Sequence, residues 1–213
     1  MRILFVFAHP DKQSLNGALP DDAITHLKDN GHEIKVSDLY QDNFKAILDG
    51  DDAPDRTEEG KFRAFFDREL SARNGHIPDD IKREQDKVFW ADLILFQYPL
   101  WWFGMPAIMK GWLDRVLMSG FAFSNNPNGK GGPLLAGKKA MMLVTAGAKY
   151  DQFANGGKFG DIEQNFFPIK RTFECCGIEP IDDHVIYGTI SRSPQNYDLI
   201  VKNMKFALDK LNA

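Results

Sequence analysis

The segment from residue 9 to residue 16, here called the imidazole loop, carries polar groups suited to binding an anion. It begins at His9 and offers the Ser14 hydroxyl and the Asn16 carboxamide, and Ser14 is placed to cap a helix that follows at once. The free backbone N–H groups at a helix N-terminus bind phosphate and other anions. The sequence therefore predicts that this loop holds a phosphate-bearing ligand.

Two further segments offer groups that suit the flat part of a ligand. Residues 99–104, here called the aromatic turn, bring two tryptophans and a phenylalanine between an apolar run and a proline. Aromatic side chains pack well against planar rings. Residues 145–150, here called the glycine loop, contain Gly147, which lets the backbone approach a ligand closely and direct N–H groups at a ring. Together the three segments predict a ligand with an anionic part and a flat ring.

Each of these segments follows an apolar run that is typical of a buried strand. Five strands are predicted, at residues 2–8, 33–37, 92–98, 140–145 and 185–187. Helical periodicity is predicted at residues 14–29, 81–90, 106–117, 162–176 and 194–211. Strands that alternate with helices favour a doubly wound α/β fold, a parallel sheet with helices on both faces. Because the carboxyl ends of parallel strands lie at one edge of the sheet, we expect the three segments to meet there.

Composition and charge exclude several functional classes. The chain of 213 residues is 43% hydrophobic and 26% charged, as in ordinary globular proteins, and its net charge of −4 argues against a nucleic-acid partner. The N-terminal apolar run is too short for a signal peptide, and polar and proline residues interrupt the run at 93–109, so no transmembrane segment is predicted. Cys175 and Cys176 are adjacent, a poor geometry for a disulfide, and are predicted to be reduced, buried thiols of a cytoplasmic protein.

Residues 39–79 separate the second strand from the next helix with weak periodicity and acidic runs. This segment is longer than an ordinary connection, so we expect a packed insertion, with a solvated loop as the alternative. No repeat, linker or break in composition divides the chain. Residues 1–213 are therefore predicted to form a single domain.

Several common cofactor and catalytic motifs are absent from the sequence. No G-x-G-x-x-G follows the first strand, so a dinucleotide-binding Rossmann domain is not expected. The segment from Gly132 to Lys139 approaches a P-loop, but it lacks the final serine or threonine and precedes a strand instead of following one. No cluster has metal-ligand spacing, and no G-x-S-x-G presents a serine nucleophile. We therefore expect no metal.

Four motifs together resemble the NAD(P)H:quinone reductase family, which includes the DT-diaphorase type. They are V-F-A-H-P followed by S-L-N within residues 6–16, S-D-L-Y at 37–40, F-Q-Y-P-L-W-W-F-G-M-P-A-I-M-K-G-W-L-D-R-V at 96–116, and V-T-A-G-A at 144–148. The resemblance covers nearly the whole chain, and the run at 96–116 is its most specific part. It implies a flavodoxin-like sheet of five parallel strands in the order 2-1-3-4-5. It also implies FAD as cofactor, with FMN as the alternative, NAD(P)H as co-substrate and a quinone or another flat acceptor.

The resemblance also assigns roles to residues by position. The FAD diphosphate would be held by His9, Ser14, Leu15 and Asn16. The isoalloxazine would lie along Pro99, Leu100, Trp101, Trp102 and Phe103, and its other edge would contact Thr145, Ala146, Gly147 and Ala148. The substrate pocket would be shaped by Trp102, Phe103 and Tyr150. Hydride would pass from NAD(P)H to flavin N5 and then to the quinone in a ping-pong sequence, so no side chain is expected to be a catalytic group.

The sequence departs from the family at two positions beyond the fourth strand. Where mammalian members carry a tyrosine and a histidine that are thought to relay charge, this chain has Phe153 and Phe159. Tyr150 is near in sequence but occupies a different position. The relay therefore does not carry over to this chain.

Two functional hypotheses of different classes follow from the sequence. The first is a flavin-dependent oxidoreductase for quinones or related acceptors. The alternative is a flavin-binding electron carrier, or a redox-sensing ancillary subunit of a potassium-efflux system. A short-chain carrier should bind FMN, be monomeric and more acidic, and lack the 39–79 insertion, so the sequence favours the enzyme. The aromatic surplus and the insertion further indicate a homodimer in which the partner chain completes the pocket.

Overall fold

A parallel sheet lies at the centre of the computed structural model, which describes residues 1–56, 60–124, 131–154, 156–190 and 194–212. The strands are β1 (Arg2–Phe7), β2 (Glu33–Asp38), β3 (Leu93–Pro99), β4 (Phe123–Ser124), β5 (Gly132–Pro133), β6 (Lys139–Thr145), β7 (Glu179–Pro180) and β8 (His184–Ile186). The α-helices are α1 (Leu15–Asp29), α2 (Ala64–Arg73), α3 (Asp79–Trp90), α4 (Ala107–Val116), α5 (Tyr150–Phe153), α6 (Glu163–Cys176) and α7 (Pro194–Asp209). Short 3-10 helices lie at Gly50–Asp52 and Lys210–Asn212. Strands β4 and β5 form a separate two-stranded sheet.

The strand order confirms the predicted flavodoxin-like sheet. It runs β2-β1-β3-β6, and both β7 and β8 then pair in parallel with β6, at its beginning and at its end. The predicted edge strand is thus present as β8, while the two-residue β7 is too short to leave a sequence pattern. Between β7 and β8, the Asp183 carboxylate accepts a hydrogen bond from the Met142 N–H at 2.8 Å. Lys170 pairs with Asp183 at 3.0 Å.

Helices cover both faces of the sheet, as predicted. On one face α3, α4 and α6 bury residues such as Val88, Trp112 and Phe173 against the strands. On the other face α1 and α7 do the same through residues such as Leu19 and Met204. All seven residues of β3 are buried, because helices lie on both of its sides. Within the described ranges, no helix is long and apolar enough to cross a membrane.

The prediction that both cysteines are buried is wrong for one of them. Cys176 is buried, and burial raises its pKa to about 11. Cys175 is exposed. Successive residues of an α-helix point about 100° apart, so two adjacent side chains at the end of α6 face different surroundings.

A buried network of charges joins the 39–79 segment to α4. Arg115 is 1% exposed and donates to both carboxylate oxygens of Asp52, at 3.0 and 2.8 Å, and Asp52 is also 1% exposed. Arg115 pairs in addition with Asp80 at 2.5 Å. Arg68 of α2 donates to the carbonyl oxygen of Asp114 at 2.9 Å. Among the described residues, Asp52 has one further cationic neighbour, Lys45 Nζ at 3.4 Å. These contacts fix the position of the segment, because the loss of Arg115 would leave the buried Asp52 carboxylate poorly compensated.

Replacing Arg115 by methionine should therefore destabilise the fold strongly. The Arg115→Met variant leaves the buried Asp52 carboxylate with only the longer contact to Lys45 in the described chain, and we expect the free energy of unfolding to fall by about 3–5 kcal/mol. Urea denaturation followed by circular dichroism measures this change. Lys110→Met is the matched control, since Lys110 pairs with Asp114 on the exposed side of the same helix. This control should lose less than about 1 kcal/mol, and a similar loss in both variants would contradict the assigned role of the network.

Candidate functional site

The imidazole loop closes on itself and presents free N–H groups at the start of α1. Ser14 caps the helix by accepting a hydrogen bond from the Gly17 N–H at 3.0 Å, and its hydroxyl donates to the Asp11 carbonyl oxygen at 2.7 Å. His9 Nδ1 lies 2.9 Å from Ser14 Oγ. Because these contacts occupy the Ser14 hydroxyl, the N–H groups of Leu15 and Asn16, which have no partner among the described residues, are the donors available to an anion.

Gly17, which was not predicted from the sequence to be a site residue, permits this closure. A Cβ atom at residue 17 would lie 2.1 Å from the Asp11 carbonyl oxygen and 2.5 Å from the Lys12 Cα. Only glycine therefore lets the loop fold over the first turn of α1. The available signal was a glycine in the first turn of a helix, where it is intrinsically unfavourable.

The aromatic turn holds two bulky residues in the left-handed backbone conformation. The N–H and carbonyl groups of Trp101 and Gly104 exchange two hydrogen bonds of 3.0 Å. Between them, Trp102 and Phe103 have φ angles of 49° and 63°. A two-residue turn with positive φ at both positions normally contains Asn-Gly, since side chains with a Cβ are strained there. Trp102 is also 95% exposed. Such strain tends to persist where function requires it.

The glycine loop is anchored by residues 186–190, a segment that was not predicted from the sequence to belong to the site. The Ala146 N–H donates to the Ile186 carbonyl at 2.8 Å, and residues 188 and 189 donate back to the carbonyls of Ala148 and Ala146. A Cβ atom on Gly147 would lie 3.0 Å from Ile190 Cγ1. The N–H groups of Gly147 and Ala148 have no partner within the described part of the chain. They are thus available to a ligand.

A cleft of ≈ 310 Å³ separates the aromatic turn from the glycine loop. It is lined by Leu100, Trp102, Phe103, Ala146, Gly147, Ala148 and Phe153. The two sides are linked by a 2.8 Å hydrogen bond from the Leu100 N–H to the Thr145 carbonyl. Larger cavities of ≈ 430 and ≈ 460 Å³ lie elsewhere and are lined by none of the predicted site residues.

The imidazole loop contacts both sides of this cleft. The His9 ring lies 5.9 Å from the Trp101 ring, and Thr145 Oγ1 donates to Asn16 Oδ1 at 2.5 Å. The structure therefore brings together the three predicted loops. A free anion-binding helix end, flat aromatic side chains and free N–H groups lie at one edge of the sheet.

Comparison with known proteins identifies the family. The chain matches the Flavodoxin-like fold family over residues 1–205. It is 34% identical over 210 residues to NAD(P)H dehydrogenase (quinone) 1 of Rattus norvegicus. That match covers 98% of this chain and 76% of the rat protein. The chain belongs to the flavodoxin-like NAD(P)H:quinone reductase family.

Two other members are similarly close. Ribosyldihydronicotinamide dehydrogenase-like protein traD of Penicillium crustosum is 38% identical over 178 residues, covering 80% of this chain and 67% of that protein. The crystal structure of a Klebsiella pneumoniae protein, provisionally described as a quinone reductase, superposes with a TM-score of 0.92 at 38% identity. That match covers 99% of this chain and 85% of the Klebsiella chain. The predicted family is thus confirmed.

The two positions that depart from the family pattern lie beside the cleft as apolar rings. Phe153 lines the cleft, and the Phe159 ring lies 5.3 Å from Phe153 and 5.7 Å from Phe103. Tyr150 is exposed and packs edge-on against Tyr187 at 5.4 Å, and it is not among the residues that line the cleft. Burial raises the pKa of Tyr187, so this hydroxyl stays protonated at neutral pH.

The strain in the aromatic turn predicts an unusual effect on stability. Trp102→Asn should raise the free energy of unfolding by about 1 kcal/mol, because asparagine tolerates the left-handed conformation and the tryptophan side chain is almost fully exposed. Thermal and urea denaturation measure this change. Trp102→Phe is the control, since phenylalanine keeps the strain and should leave the stability unchanged. A destabilised Trp102→Asn variant would show that the turn is not strained at this residue.

Proposed function

We propose that this protein is a flavin-dependent NAD(P)H:quinone oxidoreductase. Membership of the family supports this function, and one observation of the structure carries it. The strained turn of Trp102 and Phe103 lies over a cleft whose opposite side presents two free backbone N–H groups. Bulky residues in a left-handed turn are retained at a cost in stability, which is expected where a flat ligand has to be covered.

The residues at the carboxyl edge fit a flavin. The apolar and aromatic lining of the cleft suits an isoalloxazine ring, and the N–H groups of Gly147 and Ala148 suit the polar edge of that ring. The N–H groups of Leu15 and Asn16 at the start of α1 suit a phosphate. We propose FAD, with FMN as the alternative, and no metal.

A flavin held between the aromatic turn and the glycine loop would supply the redox chemistry, a hydride transfer from NAD(P)H to a quinone in a ping-pong sequence. The protein orients the reactants and stabilises charge. Trp102 and Phe103 exclude water and stack on flat substrates. The N–H groups of Gly147 and Ala148 would stabilise negative charge at the edge of a bound ring, and a donor in such a position contributes roughly 3 kcal/mol in enzymes with oxyanion holes. Phe153 and Phe159 carry no titratable group, so we assign no side chain as an acid.

The cofactor and the activity can be tested on the purified protein. We expect a yellow protein whose extracted cofactor co-chromatographs with FAD. NADPH oxidation should be stimulated by menadione and blocked by dicoumarol. Trp102→Asn should lower kcat/KM for menadione about two- to tenfold, the loss expected for one aromatic contact of about 0.5–1.5 kcal/mol. Trp102→Phe, which keeps an aromatic ring, should retain most of the activity.

Other outcomes distinguish the alternatives. A colourless protein that takes up neither FAD nor FMN would refute the proposal. A protein that binds flavin tightly but oxidises no NADPH with any quinone would favour the electron carrier or the ancillary subunit.

We also propose a homodimer, with residues 1–213 as one flavin-binding domain and 39–79 as a packed insertion. Helix α2 supports the dimer, because several of its polar residues are buried while its large apolar residues are exposed. Charged and polar residues of α2, such as Arg68 and Glu69, are buried, while Phe65, Phe66 and Leu70 are exposed. An exposed apolar helix face of this kind commonly marks a protein–protein interface. The predicted cytoplasmic location stays a prediction.

The dimer can be tested by mass in solution. We expect light scattering to give twice the chain mass, and Phe66→Asp to produce monomers with reduced activity, since a charge at the interface is costly to bury. Phe206→Asp, at an exposed phenylalanine of α7, is the control and should remain dimeric. A fully active monomer in the wild type would rule out the dimer and a pocket completed by the partner.

A further inference from the structure

A buried glutamine interrupts an otherwise apolar strand next to the site. Gln97 is 0% exposed in β3. Its Nε2 donates to Asn16 Oδ1 at 3.4 Å, while its Oε1 is buried without a partner among the described residues. An unpartnered buried polar atom destabilises a fold, so an apolar residue would serve the sheet better. The presence of glutamine therefore points to a role other than packing.

The same oxygen of Asn16 receives a second donor from the other side of the site. Thr145, which is buried at the end of β6, donates from its Oγ1 to Asn16 Oδ1 at 2.5 Å. The carboxamide oxygen is thus held by two donors on neighbouring strands. The Asn16 amino group has no partner among the described residues, and it is the donor that this side chain can offer to a ligand.

The backbone of Gln97 also contacts the residue that precedes the imidazole loop. The Ala8 N–H, immediately before His9, donates to the Gln97 carbonyl oxygen at 3.3 Å. Gln97 therefore contacts the residue before the imidazole loop and the last residue of that loop, Asn16. Through Asn16 it is connected to the first residue of the glycine loop, Thr145. These contacts form one continuous polar connection between the imidazole loop and the glycine loop.

We propose that Gln97 and Thr145 are positioning residues that fix the Asn16 carboxamide and thereby couple ring binding at the glycine loop to phosphate binding at the imidazole loop. The inference rests on the proposed flavin function and extends it. Coupling between two parts of a site is reciprocal, so a ring that orders the glycine loop strengthens phosphate binding, and phosphate strengthens ring binding.

Riboflavin and FMN separate the two contributions, because riboflavin carries the ring without the phosphate. The ratio of the riboflavin dissociation constant to the FMN dissociation constant reports how much affinity the phosphate adds. Quenching of flavin fluorescence measures both constants. Thr145→Val removes the hydroxyl donor at nearly constant shape, and we expect it to lower this ratio about fivefold or more, as for ordinary coupling between sites. Thr145→Ser keeps the donor and should keep the ratio. If Thr145→Val weakens both ligands equally, Thr145 only contacts the ring and the proposal is overturned.

Gln97→Met gives an independent test in which stability and binding should change in opposite directions. Methionine has a similar shape and no unpartnered polar atom, so the unfolding temperature should stay the same or rise. The ratio of riboflavin to FMN dissociation constants should nevertheless fall. A change in unfolding temperature at a constant ratio would assign Gln97 to packing alone.

A measurement on the wild-type protein avoids any effect of substitution on folding. Hydrogen exchange should slow in residues 9–18 when riboflavin binds, although riboflavin has no phosphate to contact this loop. Unchanged exchange there would overturn the coupling. If the wild type binds neither flavin, the proposed function fails as well. If it binds both and the ratio is the same in every variant, only the coupling fails.

Discussion

The register of three parallel strands determines where the ligand-binding loops meet. Phe7, Gln97 and Leu143 lie in one row across β1, β3 and β6. Two residues after each member of this row, the chain reaches His9, Pro99 and Thr145. Because neighbouring strands lie about 4.8 Å apart, the three loops must begin from adjacent points. A shift of the register by one residue would move every side chain of a strand to the opposite face of the sheet. The apolar contacts that fix the register therefore also fix the positions of the three loops.

The site itself contains features that work against the stability of the fold. Trp102 and Phe103 adopt a backbone conformation that L-residues disfavour, and the Gln97 carboxamide leaves a buried oxygen without a partner in the described chain. The surrounding core is ordinary, with closely packed apolar clusters on both faces of the sheet. The scaffold thus follows the usual preferences for backbone conformation and for hydrogen bonding of buried polar groups, and its carboxyl edge departs from them. This is expected where function and not packing selects the residues.

The scaffold could be predicted from the sequence because its signals are local. Apolar runs indicate buried strands, helical periodicity lies between them, and Ser14 directly caps α1 as expected. The features that were missed depend on residues distant in sequence. Gly17 matters because of the backbone at Asp11, and Gln97 because of Asn16, which lies 81 residues away. No local pattern shows such contacts. Two adjacent cysteines likewise do not show by themselves which one faces the core.

The divided fifth strand has a consequence for how copies of this chain can associate. An open sheet edge exposes unpaired N–H and carbonyl groups that can template a strand from another molecule. Here β7 and β8 occupy the two ends of that edge, and the Asp183 carboxylate takes the N–H of Met142 in the gap between them. Lys170 in turn neutralises that carboxylate. The outer side of β6 therefore has no open edge at which a strand of another molecule could pair. This prevents aggregation by strand addition at β6.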